Sequence, residues 1–168
     1  MNDTSMFKRL QPCLLDRLTD DKPEAQQESR EQRVISMRRY RNGVLRDLEW
    51  LLNSGSYTLV EDLDEFAEVV KSVLNYGVPD LCGLTFSGIS IPELERALLE
   101  AIQFFEPRIL PQSLSVHVMA DSQAAVGNAV DFEIKGELWA EPMPDQIFVR
   151  TEIDLETGHW ELEDRPDG

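Results

Sequence analysis

The chain has 168 residues, 42% of them hydrophobic and 29% charged, the composition of an ordinary soluble globular domain. Its net charge of −16 excludes a nucleic-acid backbone binder, which needs basic surface, and no apolar run approaches the ~20 residues of a membrane-spanning helix. The charge is uneven: 10 basic and 9 acidic residues through Trp50, then 6 basic and 23 acidic, a division that suggests two different contact surfaces. The first residues carry no apolar stretch typical of a secretory signal. Cys13 and Cys82 stand far apart and read as free thiols of a reducing compartment, so the expected location is the cytoplasm.

Phe7, Leu10, Leu14, Leu15 and Leu18 fit one short amphipathic helix interrupted by Pro12, and the polar stretch from Thr19 to Ser29 reads as a linker. A long helix is predicted from about Arg30 to Asn53, with Val34, Met37, Val44, Leu48 and Leu51 on one face. Gly43 weakens that helix, and Asn53-Ser54-Gly55 ends it. Arg41 falls inside its apolar arc, where a charge either snorkels to water or forms a structural ion pair. A second helix is predicted over about Leu63 to Asn75. Asp62 and Glu65 would form its capping box, and Phe66, Val69, Val70, Val73 and Leu74 its apolar stripe. Gly77 and Pro79 stop it, and a glycine-rich loop follows to Gly88. A third helix starts at Ser90, with Pro92 in the first turn and Glu93 completing a capping box. It faces the core through Leu94, Leu98, Ala101, Ile102 and Phe105 and must stop before Pro107.

From there the apolar period changes from 3.6 to 2. Leu114, Val116 and Val118 form one alternating run; Val130, Phe132, Ile134 and Leu138 a second; Ile147, Val149, Thr151 and Ile153 a third. Trp160 and Leu162 add a short fourth strand after the turn at Thr157-Gly158. Helices first and strands after give an α+β fold, with N-terminal helices packed on a small, mostly antiparallel C-terminal sheet. The expected division is a short helix and linker over residues 1–29, one α+β domain over 30–163, and a tail over 164–168.

No catalytic constellation is specific. His117 and His159 lack ligand-spaced neighbours, and His117 lies on the polar phase of its strand. There is no phosphate-cradling glycine loop and no nucleophile elbow, and no metal or cofactor is expected. With 32 acidic residues, carboxylate pairs carry no information by themselves. Glu106 alone sits between large apolar residues, but Arg108 two positions on is the wrong neighbour for a proton-donating acid.

The segment Phe105-Glu106-Pro107-Arg108-Ile109, between a helix and the strands, resembles the Glu-Pro-Arg motif of the baseplate wedge family of type VI secretion systems and contractile phage tails. Leu14 to Asp21, Arg46 to Asn53, Ser72 to Leu81 and Asp154 to Gly158 resemble the secretion-system branch, the TssE proteins, in the same order. The resemblance implies a structural, non-enzymatic subunit that sits with TssF, TssG and TssK in a baseplate docked near the inner membrane. It further implies a sheet like the pairing domain of sheath subunits, which templates the first sheath ring. The lysozyme-like label attached to the family finds no support in these residues. A related phage tail or tailocin is the alternative setting. Glu106, Pro107 and Arg108 would either contact partner subunits or brace the helix–sheet junction, with Arg41 an alternative internal partner of Glu106.

Overall fold

The computed structural model describes residues 13–19, 24, 36–57, 63, 65–83, 88, 90–119, 129–140 and 144–164. Among them the chain runs α1 (Leu14–Leu18), α2 (Met37–Leu52), α3 (Ala67–Val70), a 3-10 turn (Val73–Asn75), α4 (Ile91–Phe105), then β1 (Ser115–Val118), β2 (Ala129–Leu138), β3 (Asp145–Asp154) and β4 (Trp160–Asp164). The predicted α+β arrangement is what forms.

The four strands make an antiparallel meander in the order β1-β2-β3-β4. Their alternation survives intact: along β2 the residues Val130, Phe132, Ile134 and Leu138 are buried, and Ile147, Val149, Thr151 and Ile153 answer them on β3. Gly136, which shares that inward phase, is forced: a Cβ there would stand 2.8 Å from Ile109 Cγ2. The inward face carries two helices, α2 beside β4 and α4 beside β1. Val44, Leu48, Leu51 and Leu52 of α2 and Leu94, Leu98 and Ile102 of α4 close one core over the sheet. The other face presents carboxylates and two cations, with Glu133 opposite Arg150 and Glu152 opposite Glu161.

Three helical expectations change. The long helix begins at Met37, because Ser36 is extended (ψ 152°) and its Oγ accepts the Arg39 N–H at 3.2 Å, a side-chain N-cap. Phe7, Leu10, Pro12, Val34 and Asp62 lie outside the described residues. At the start of α4, Ser90 makes no capping hydrogen bond through its side chain. The continuous second helix is broken in two at Ser72. That residue is extended (ψ 164°), donates to the Val69 carbonyl at 2.9 Å and accepts the Leu74 N–H at 3.2 Å, so its hydroxyl replaces the helical ladder. Its apolar stripe is not buried: Phe66, Val73 and Leu74 are exposed.

The loop after the 3-10 turn depends on one glycine. Gly77 has φ +136°, and a Cβ there would lie 2.3 Å from the Ser54 carbonyl oxygen, which accepts the Val78 N–H at 2.8 Å. Gly77→Ala is expected to cost about 1–3 kcal/mol of stability, since both the backbone angle and the contact are unfavourable. Urea denaturation measures it, and an unchanged midpoint would show that the Ser54 turn yields.

Candidate functional site

α4 ends where Pro107 removes a backbone donor and turns Glu106 out of helical geometry (φ −122°, ψ 74°). The chain then runs antiparallel to the end of β2. Trp139 N–H donates to the Arg108 carbonyl at 2.7 Å, and Leu110 N–H donates to the Glu137 carbonyl at 2.8 Å. This folds the Glu106 side chain inward, where the residue is only 3% exposed. Its Oε1 accepts from Arg108 Nε at 2.7 Å and from the Arg108 N–H at 3.1 Å, and its Oε2 is held by Arg108 Nη2. The Glu106 carboxylate therefore faces the interior and not the solvent. A carboxylate shut off from solvent, with both oxygens on one guanidinium, cannot meet a substrate.

Arg108 does not stop at Glu106. Its Nη2 also donates to Asp47 Oδ2 on α2 at 2.6 Å. Asp47 Oδ1 accepts from Arg46 Nε at 2.9 Å, and Arg46 Nη1 reaches Asp16 Oδ1 on α1 at 2.6 Å. Asp16 Oδ2 in turn accepts from the Cys13 thiol at 3.0 Å. Five side chains of alternating sign thus tie the α4–β1 turn to α2 and α1. Burial by itself would lower the pKa of Arg108, but the Glu106 and then the Asp47 carboxylates raise it above the ordinary arginine value, so the cation is fixed. For Asp16 burial pulls the pKa upward, and the thiol and Arg46 hydrogen bonds outweigh it, leaving the carboxyl below its ordinary value.

Gly43 makes room for this chain of charges. A Cβ on it would lie 3.3 Å from Asp16 Oδ2 and 3.8 Å from Arg108 Nη1. Tyr40, Gly43 and Asp47 lie on one line of α2, and Tyr40, buried beside Arg108 and Glu106, has its phenol pKa raised first by desolvation. Sequence reasoning identified the Glu106-Pro107-Arg108 turn but missed Asp47, Arg46 and Asp16. The signal was a mid-helix glycine followed four residues later by an aspartate on the same face.

Arg41 stands apart from this network and does not pair with Glu106. Its Nε and Nη2 grip Asp164 at 2.9 and 2.6 Å, and its Nη1 donates to the Gln146 carbonyl at 2.5 Å, with Asp145 at 3.5 Å. It is a clamp from α2 onto β3 and β4, not a snorkelling charge.

The two outer strands carry the other feature of interest. On β1, Met119 N–H donates to the Asp131 carbonyl of β2, so alternation turns the backbone groups of Val118 and Val116 away from β2. Val118 N–H meets Glu95 Oε1 of α4 at 2.7 Å. On β4, Trp160 is met in the same way by Asn53. Among the described residues, the outward backbone groups of Val116 and Leu162 have no hydrogen-bond partner. No helix among the described residues is long and apolar enough to cross a membrane, and no cluster of His, Cys, Asp and Glu there could hold a metal ion.

No curated protein sequence matches the chain. Residues 38–143 match the family model for the baseplate wedge protein gp25, a span that begins in α2, ends just before β3 and contains Arg46, Asp47, Glu106, Pro107 and Arg108. The match covers more than half of the chain and contains the helix–turn–sheet junction at which the charge network converges, and the chain belongs to this family of structural baseplate wedge proteins.

Proposed function

We propose that the chain is a scaffold subunit of the type VI secretion baseplate wedge, a TssE-like protein that helps assemble the baseplate and starts polymerisation of the contractile sheath. The observation that carries the secretion-system part lies outside the matched span. The segments Leu14 to Asp21 and Asp154 to Gly158 also resemble the TssE branch, and the family match does not reach them. In this reading the chain catalyses nothing, works in the cytoplasm with TssF, TssG and TssK on a baseplate docked near the inner membrane, and meets sheath subunits through its sheet.

The physical means is a rigid body with fixed charges and open backbone. The Glu106-Pro107-Arg108 turn acts as a brace that holds α1, α2 and α4 against the sheet, so that partners meet preset surfaces. Residues 30–163 act as one unit, preceded by a short helix and polar linker over residues 1–29. The outward backbone groups of β1 and β4 suit strand addition, and the acidic outer face of the sheet favours basic partners.

Co-expression with TssF and TssG tests the reading. A soluble complex of the three chains is expected, and addition of TssK and sheath subunits is expected to extend it. Failure to join TssF and TssG, together with incorporation into a phage-tail or tailocin wedge, would move the chain to that setting.

A further inference from the structure

Val73 and Leu74 are 82% and 70% exposed, yet the turn that carries them is held at both ends. Ser72 enters it, with Oγ donating to the Val69 carbonyl at 2.9 Å and accepting the Leu74 N–H at 3.2 Å. Asn75 closes it from a buried position. Its Nδ2 donates to the Val70 carbonyl at 3.0 Å, and its Oδ1 accepts the Tyr57 N–H at 2.9 Å. Just beyond, the Tyr76 ring meets Phe105 of α4 edge-on, with 5.2 Å between centroids. Just before, Lys71 Nζ lies 5.6 Å from the centre of the exposed Phe104 ring.

A turn that only joined α3 to the loop at Gly77 would be served by polar residues. Here two aliphatic side chains are fixed in water by a buried carboxamide and a hydroxyl. Ordering apolar groups before contact lowers the cost of binding, which is what such a display achieves. We propose that Val73 and Leu74 form a preset knob that inserts into the leucine face of an amphipathic helix of another chain, a face edged by lysine or arginine. The inference rests on the assembly role given above and adds a surface and the chemistry of what covers it.

The shape and the charge both select this occupant. Side chains so far exposed stand proud of the surface, and the hole between four side chains on one face of a helix accepts an aliphatic knob. Five of the eight residues from Glu61 to Glu68 are carboxylates, and Glu65 and Glu68, directly before and within α3, are exposed. Basic residues along the edge of the incoming helix meet that charge. A second copy of the chain is the wrong occupant, because two knobs do not fill one another and their acidic runs repel.

The test uses the full chain and a fluorescein-labelled helical peptide, Leu-Lys-Lys-Leu-Leu-Lys-Leu-Leu-Lys-Lys-Leu-Leu-Lys-Leu, at nanomolar concentration. Anisotropy is read at about 0.15 M salt, where distant surface charges are largely screened. The wild type binds, and Leu74→Ser and Val73→Ser each weaken binding about 10-fold or more through the lost apolar contact. Both residues are exposed, so the urea midpoints stay at the wild-type value; a midpoint that falls with affinity assigns the pair to the core and overturns the proposal. Glu65→Lys with Glu68→Lys leaves the knob intact and also lowers affinity, and equal binding by that protein overturns the basic edge. A peptide of the same composition, with leucine and lysine alternating as in a strand, binds more weakly than the helical one. Equal affinity of the helical peptide for wild type and both serine variants overturns the proposal. So does a wild type that sediments as a dimer while Leu74→Ser is a monomer. The assembly role is judged separately: a missing complex with TssF and TssG overturns that role, whereas unchanged peptide affinity overturns the knob.

Discussion

Arg108→Ala is expected to remove about 3–5 kcal/mol of stability, the cost of leaving a buried charge without its partner. Glu106 is almost wholly buried, and both of its oxygens are held by that guanidinium, so truncation leaves a buried carboxylate without its cation. Asp47 loses its contact at the same time, and with it the tie between the α4–β1 turn and α2. Arg108→Lys is expected to fall between, because one ammonium cannot serve both carboxylates in the geometry of a planar fork. The double substitution Glu106→Gln with Arg108→Met should cost less than Arg108→Ala alone, since it removes the buried charge together with its partner. Urea denaturation of the four proteins at neutral pH decides the matter. An Arg108→Ala protein as stable as the wild type would sink the account of the turn as a brace. The yield of complex with TssF and TssG is expected to fall in the same order as stability. A loss of complex with stability intact would instead assign the turn to the partner surface.

The second large effect is expected at Trp160. The residue is 2% exposed, and its ring stands 5.3 Å from that of Phe132 across the inner face of the sheet. Trp160→Ala should lower stability by about 3–5 kcal/mol, through lost transfer energy and the cavity left beneath α2. Trp160→Phe keeps most of the packing and should cost clearly less. Because the Asn53 bonds go to the backbone at residue 160, they can re-form in both variants, so the difference between the two reports packing. The comparison is again made by urea denaturation, and a Trp160→Ala loss below about 1 kcal/mol would mean that β4 is not part of the core.

The sheet was legible because its physics is local. Alternation along β2 and β3 directly encodes which side faces the helices, and Val130, Phe132 and Ile134 obey it. α4 was legible for the same reason, with Pro107 marking its end. The second helix was not, because apolar spacing states only that a helix could bury a face. Phe66, Val73 and Leu74 have no such surface over them, and Ser72 offers the backbone a competing bond. Within the charge network, the turn could be read from three adjacent residues. Its counterpart Asp47 lies 61 positions away, and no one-dimensional pattern pairs the two. Arg41 was recognisable as a charge on an apolar arc, but its grip on Asp164 spans 123 positions and only the folded chain reveals it.

That span has a consequence for how the polypeptide comes into being on the ribosome. α2 leaves the exit tunnel well before the residues it fastens to, Gln146, Trp160 and Asp164, have been made. Until β3 and β4 emerge, its leucine face has only α4 to lie against, and the apolar surface left open is what makes a partly made chain prone to association.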